Sequence, residues 1–139
     1  KIKNSWFDVS DNVIDYDLEN IKEIDGIPHV RKYIQLANDA RKFGIEGVVI
    51  GAPSSKNHLK EEEIKNARRY FGKEGLVLVP GIGAQGGEIS SLSKYFNAKN
   101  LIANVGRGLM FPNGAYSTSE QQAEAAKQYR DMLNNLMVA

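Results

Sequence analysis

Residues 76–87 read LVLVPGIGAQGG, and this stretch decides the fold class. Its first four residues form an unbroken apolar run, which is typical of a strand buried on both faces of a parallel sheet. Pro80 follows the run, and four glycines then occur at positions 81, 83, 86 and 87. Glycine permits tight turns and a close approach of the backbone to a ligand. The stretch therefore predicts a buried strand followed by a loop that can face a bound group.

The same alternation of helix and strand continues on both sides of this stretch. Apolar runs at 47–51 and 101–105 predict two further buried strands. Helices are predicted from Pro28 to a cap at Gly44, over 59–71, around 89–96, and from Ser117 onward with Glu120 completing a capping box. Helices that alternate with apolar strands predict an α/β fold with a parallel sheet and crossover helices.

The first 27 residues differ from the rest of the chain. They carry seven acidic residues and no sustained period of 2 or 3.6, so we predict a surface loop or arm over 1–27. Residues 28–139 then form one domain. Three strands are too few for a closed barrel, which needs about 250 residues. We expect the missing strands to come from another segment of the same protein.

The overall composition excludes several classes of function. A net charge of +1 argues against a broad nucleic-acid or membrane-surface role, because both need a concentrated basic face. No apolar run approaches the roughly 18 residues of a membrane span, and no cysteine is present. His29 and His58 lack the spacing of metal ligands. We therefore expect no metal, no membrane and no nucleic-acid partner, and a cytoplasmic location.

Two clusters of residues could bind an anion. One is the glycine loop 81–87, and the other is Asn104-Val105-Gly106-Arg107-Gly108 at the end of the next strand. A guanidinium is always charged and can bond two phosphate oxygens at once. Taken alone, the loop could equally be a plain turn, and Arg107 could form a structural salt bridge. The clusters follow consecutive strands, however, and the loops after the last two strands of a barrel frequently bind phosphate.

These residues carry a specific resemblance. PGIGAQGG at 80–87, followed by NVGRG at 104–108, resembles the final part of the orotidine 5′-monophosphate decarboxylase family. GVVIGA at 47–52 resembles the preceding strand of that family. The resemblance covers roughly residues 26–137. It implies the C-terminal half of a (β/α)8 TIM barrel, completed by an N-terminal half that is not in this chain.

The resemblance also implies a role for four residues. Pro80 would begin the loop over the phosphate and the pyrimidine, and Gln85 would reach a phosphate oxygen and the base. The N–H of Gly106 and the guanidinium of Arg107 would hold the phosphate. The family's catalytic Asp-x-Lys-x-x-Asp array does not occur in this sequence. No catalytic residue is therefore expected in the chain.

The implied reaction is the decarboxylation of orotidine monophosphate (OMP) to uridine monophosphate (UMP) and CO2, a step of pyrimidine biosynthesis. It needs no metal or cofactor, and the expected working unit is a homodimer of the complete lyase. Two alternatives remain at this point. The chain could belong to another phosphosugar-binding TIM-barrel enzyme, or it could be a non-catalytic phosphate-binding half-barrel that dimerises.

Overall fold

The computed structural model describes residues 5–55, 58–83 and 87–138. The strands in this part of the chain are β1 (Trp6–Asp8), β2 (Lys22–Ile24), β3 (Ile27–Arg31), β4 (Gly47–Val49), β5 (Leu76–Pro80) and β6 (Leu101–Asn104). The helices are α1 (Lys32–Lys42), α2 (Glu61–Phe71), α3 (Ser90–Ser93), α4 (Arg107–Met110) and α5 (Ser119–Val138). None of the described helices is both long and apolar enough to cross a membrane.

The three predicted apolar runs form one parallel sheet with the order β4-β5-β6. Val48 pairs with Val77 in the neighbouring strand, and Val77 pairs in turn with Leu101. Val77 and Val79 are completely buried, as expected for the central strand of a parallel sheet. They lie in one core cluster with Ile34 of α1, Ile64 of α2 and Leu92 of α3. The sequence prediction of these three strands is confirmed.

The other face of the parallel sheet is not covered by the described residues of this chain. Val49, Leu78 and Ile102 lie in one row across the three strands. Val49 is 66% exposed and Ile102 is 49% exposed, although both are large apolar residues. Parallel sheets are normally covered on both faces. The row is therefore a surface that needs cover from outside the described residues.

Helices α1 and α2 pack against each other and cover the buried face. Their ends agree with the sequence prediction, because Gly44 and Gly72 both adopt the positive φ that suits glycine after a helix. The predicted start of the first helix at Pro28 is wrong. Pro28 lies within β3, where its carbonyl accepts a hydrogen bond from the N–H of Val9 at 2.9 Å, and α1 begins only at Lys32.

The segment before residue 28 is more ordered than its sequence indicates. Instead of an irregular loop, it contributes β1 and β2 to an antiparallel sheet with the order β1-β3-β2. Val9 and Tyr16 from this segment are buried in the same core as the helices. Strands of three residues with mixed polarity show no detectable alternation, which explains why they were missed. The division of the chain at residue 27 stays a prediction.

The last helix is capped one residue later than predicted. The hydroxyl of Thr118 accepts a hydrogen bond from the N–H of Gln121 at 3.3 Å, and the side-chain oxygen of Gln121 accepts one from the N–H of Thr118 at 2.9 Å. The predicted cap, Ser117, instead closes the preceding turn by donating to the carbonyl of Gly114 at 2.7 Å. Along α5, Ala125 is buried.

Candidate functional site

The carboxyl ends of the three parallel strands meet at one edge of the sheet. Pro80, the last residue of β5, lies directly opposite Asn104, the last residue of β6. On the other side, the carbonyl of Pro80 accepts a hydrogen bond from the N–H of Ala52 at 2.9 Å. The segments that follow β4, β5 and β6 therefore start side by side, which is where ligands bind in sheets of this class.

The glycine loop after β5 closes on itself. The N–H of Gly87 donates to the carbonyl of Gly81 at 3.1 Å, and a short parallel bridge joins Ile82 to Gly87. Gly81 and Gly83 both have positive φ angles, of 92° and 77°, which non-glycine residues rarely adopt. The glycines are therefore required by the turn itself. The predicted ligand Gln85 lies outside the described residues.

The second cluster begins at the end of β6. Gly106 precedes α4, and Arg107 is the first residue of that helix. The Arg107 side chain is exposed and forms no ion pair or side-chain hydrogen bond within the described part of the chain. Its guanidinium is thus available to a ligand there, whereas a structural salt bridge would have occupied it.

The structure brings the two clusters together through a residue of the last helix. Tyr129 of α5 lies against both Gly83 and Gly108. A Cβ atom added at Gly108 would lie 2.5 Å from the Tyr129 hydroxyl, and one added at Gly83 would also collide with it. Gly83 belongs to the first loop and Gly108 to the second cluster. The backbones of the two loops are therefore close neighbours.

An open pocket of about 620 Å³ lies at this place, between α4 and α5. Its described lining consists of Arg107, Gly108, Phe111, Pro112, Ala125, Gln128, Tyr129 and Met132. Arg107 is the one charged side chain in that lining, and no carboxylate opposes it. A pocket lined by a single cation and an amide suits an anionic group.

The remaining candidates from the sequence do not assemble into a second site. The Nδ1 of His29 donates a local hydrogen bond to the carbonyl of Ile27 at 2.9 Å, and His29 lies within β3. Among the described residues, no three histidine, cysteine, aspartate or glutamate side chains cluster so as to hold a metal ion.

The sequence comparisons agree with this geometry. The chain is 34% identical over 92 residues to an orotidine 5′-phosphate decarboxylase from Dehalococcoides mccartyi, covering 64% of this chain and 32% of the relative. It is 32% identical over 124 residues to the enzyme of that name from Bordetella avium, covering 85% of this chain and 43% of the relative. No protein-family model matches the chain.

This chain is similar to part of an orotidine 5′-phosphate decarboxylase. It spans about a third to less than half of the length of these curated relatives. UMP synthase from Leishmania donovani superposes with a TM-score of 0.59 at 25% identity, covering 88% of this chain and 25% of that structure. A putative orotidine-monophosphate decarboxylase from Toxoplasma gondii gives 0.60 at 18% identity, covering 98% and 48%.

The predicted fold class is confirmed. The solved decarboxylase structures are TIM barrels, and the parallel sheet β4-β5-β6 with its helices forms part of such a barrel. In that fold the uncovered row of Val49, Leu78 and Ile102 faces the barrel interior, because the helices surround the outside. The assignments of Pro80, Gln85, Gly106 and Arg107 stay predictions.

Proposed function

We propose that this chain supplies the phosphate- and pyrimidine-binding part of an orotidine 5′-phosphate decarboxylase, which converts OMP to UMP and CO2. The observation that carries the proposal is the meeting of two loops, which follow consecutive strands, beside the available guanidinium of Arg107. The similarity to named decarboxylases supports the same substrate. An enzyme acting on another phosphosugar would share the fold but would not be expected to share these sequences.

Within this proposal each predicted residue has a physical task. The Arg107 guanidinium forms charge-assisted hydrogen bonds to two phosphate oxygens, and the N–H of Gly106 donates to a third. Pro80 starts the loop that covers the phosphate and base, and Gln85 bonds to both. The phosphate is remote from the carbon that loses CO2. Its binding energy still accelerates the reaction, because it orients the base and helps to exclude water.

The carboxylate–lysine array that acts on the leaving carboxylate is supplied by an N-terminal half. The uncovered apolar row on the parallel sheet supports this part of the proposal, because that half would complete the barrel and bury the row. We refer below to this chain together with that half as the complete enzyme. It works in the cytoplasm as a homodimer, without a metal or cofactor.

The test has two steps. First, decarboxylation of OMP is measured for this chain alone and for the complete enzyme, and we expect turnover only in the second case. Second, UMP affinity of the complete enzyme is measured by calorimetry for Arg107→Ala. We expect binding to weaken roughly 10- to 100-fold, because hydrogen bonds to a charged group contribute about 1.5–3 kcal/mol.

Arg130→Ala is the matched control, since Arg130 is an exposed arginine on α5 paired with its neighbour Asp131. Its affinity for UMP should not change. Equal affinities of the Arg107→Ala and wild-type enzymes would remove Arg107 from the phosphate site. A third outcome would favour a non-catalytic half-barrel instead. In that case this chain alone would form a stable dimer that binds UMP, and neither preparation would turn over OMP.

A further inference from the structure

Tyr129 occupies the space between two backbone loops. Ideal Cβ atoms at Gly83 and Gly108 would lie 3.0 and 3.2 Å from its ring carbon Cζ. The contacts come from opposite edges of the ring, with Cε1 3.4 Å from the position at Gly83 and Cε2 3.3 Å from the position at Gly108. The phenol end of the ring is therefore wedged between the loop after β5 and the start of α4.

The position of the Tyr129 ring is fixed by packing against the core. The Tyr129 ring is half-buried and packs against the hydrophobic core together with Leu133 and Leu136 of the same helix. Within the described residues its hydroxyl forms no hydrogen bond that would explain its place. Packing thus determines the position of the ring, and the loops that contain Gly83 and Gly108 contact it.

The two loops contacted by Tyr129 are the ones that carry the phosphate ligands of the proposed function. Gly108 directly follows Arg107 along the chain, so a shift of Gly108 moves the guanidinium. Gly83 lies two residues before Gln85. Small displacements of binding groups have large effects on a charged ligand, because hydrogen bonds are short and directional.

We infer that Tyr129 is a positioning residue, whose ring sets the spacing between the two loops so that both face one phosphate group. The inference rests on the proposed function and adds a residue to it. Tyr129 acts through Gly83 and Gly108 and need not touch the nucleotide. The ring performs this task by its bulk, so a phenylalanine at the same position retains most of it.

Gly108 allows a clean test of this contact. Its backbone lies in α4 without a positive φ, so the backbone itself accepts alanine. Gly108→Ala therefore acts through the collision of its Cβ with Tyr129. In the complete enzyme we expect Gly108→Ala to weaken UMP binding about tenfold, which is the size of a typical overpacking effect. Binding of uridine, which lacks the phosphate, should weaken much less.

The decisive variant is the double substitution. Tyr129→Phe removes the atom nearest to the added Cβ, so Gly108→Ala/Tyr129→Phe should regain UMP affinity within about twofold of wild type, since contacting residues show strong coupling. Tyr129→Phe alone should bind UMP as wild type does. Tyr116→Phe, at a tyrosine that is 97% exposed, is the control and should neither rescue nor impair binding.

Each contrary result has its own meaning. A double variant as weak as Gly108→Ala overturns the contact. Loss of UMP affinity in Tyr129→Phe alone overturns the positioning role, because the hydroxyl would then be a direct ligand. If the wild-type enzyme does not bind UMP, the proposed function fails. In that case the contact is tested by the melting temperatures, without ligand, of the wild type, the two single variants at positions 108 and 129 and the double variant. If the two single substitutions change the melting temperature additively, the contact is excluded.

Discussion

The described part of the chain forms two three-stranded sheets, and they are stabilised by different interactions. The parallel sheet β4-β5-β6 is built around the completely buried Val77 and Val79, and glycine loops leave its carboxyl edge. The antiparallel sheet β1-β3-β2 is more polar. The Trp6 ring of β1 lies under the guanidinium of Arg31 at 4.1 Å and near the ammonium of Lys22 at 5.2 Å.

The difference extends to the attachment of the N-terminal segment. Its residues 9–21 dock on α1 and α2 through the buried Val9 and through a polar network around Tyr70. The Tyr70 hydroxyl accepts a hydrogen bond from the N–H of Asp17 at 2.9 Å and donates to the carboxylate of the same residue at 2.9 Å. Hydrophobic burial therefore dominates in the parallel sheet, whereas the N-terminal segment combines a few buried residues with directional polar contacts.

The largest expected effect is a loss of stability when a buried leucine of one region is truncated, compared with an exposed leucine of the other. Leu92 of α3 is completely buried in the core cluster, whereas Leu18 of the N-terminal segment is 87% exposed. Leu92→Ala should lower the free energy of unfolding by about 2–5 kcal/mol, because it removes a buried side chain and leaves a cavity. Leu18→Ala should change it by less than about 0.5 kcal/mol. Urea denaturation of the complete enzyme measures both, and equal losses would contradict the comparison.

A smaller effect is expected where the N-terminal segment meets α2. Tyr70→Phe should cost about 1 kcal/mol, since it removes a hydroxyl that satisfies Asp17 and Asn20. Tyr95→Phe is the matched control, because Tyr95 donates to Glu61 at 2.8 Å on the exposed surface. Hydrogen exchange should rise in the N-terminal segment of Tyr70→Phe but not in the parallel sheet. Uniform exchange over the whole chain would show that the two regions unfold together.

The same tyrosine gives a pH dependence with a definite sign. Burial raises the pKa of the Tyr70 hydroxyl above its usual value of 10.0. The folded state therefore holds this proton more tightly than the unfolded state. Its contribution to stability is complete below pH 10 and is lost as pH rises through the raised pKa. Stability of Tyr70→Phe should consequently fall less steeply above pH 10 than stability of the wild type.

The smallest expected effect concerns the helix that carries Tyr129. Thr118→Ala should lower the stability of the complete enzyme by about 1 kcal/mol, because it removes the N-terminal cap of α5. Ser119→Ala, one residue later, loses only an exposed bond to Glu120 and serves as the control. Far-ultraviolet circular dichroism and thermal melting report the outcome. An equal loss in both variants would contradict the observed position of the cap.

The parallel sheet was predictable from sequence because its signals are local. The apolar runs of β4, β5 and β6, and the glycines Gly44 and Gly72 that follow α1 and α2, each act within a few residues of where they occur. The prediction of a helix start at Pro28 is wrong for the opposite reason. A proline suits both a first helical turn and a short strand, and only pairing with β1 and β2 decides between them.

The site was predictable in part. Arg107 and the glycine loop carry recognisable residue types in a recognisable order. Tyr129 does not, because on sequence alone it is one more large residue on the packed side of an amphipathic helix. Its contact with Gly83 and Gly108 depends on how α5 packs in the folded chain. No local sequence pattern contains that information. The only indication in the sequence was the polar hydroxyl of Tyr129 on the packed side of that helix.

The shared contact of Tyr129 has a consequence for sequence variation among relatives. A side chain at position 108 requires a smaller residue at position 129, and the same holds for position 83, so the three positions are not free to change separately. We expect an alignment of full-length decarboxylases to show correlated substitutions at these three positions, with glycine retained at both loops wherever an aromatic residue is present on the final helix.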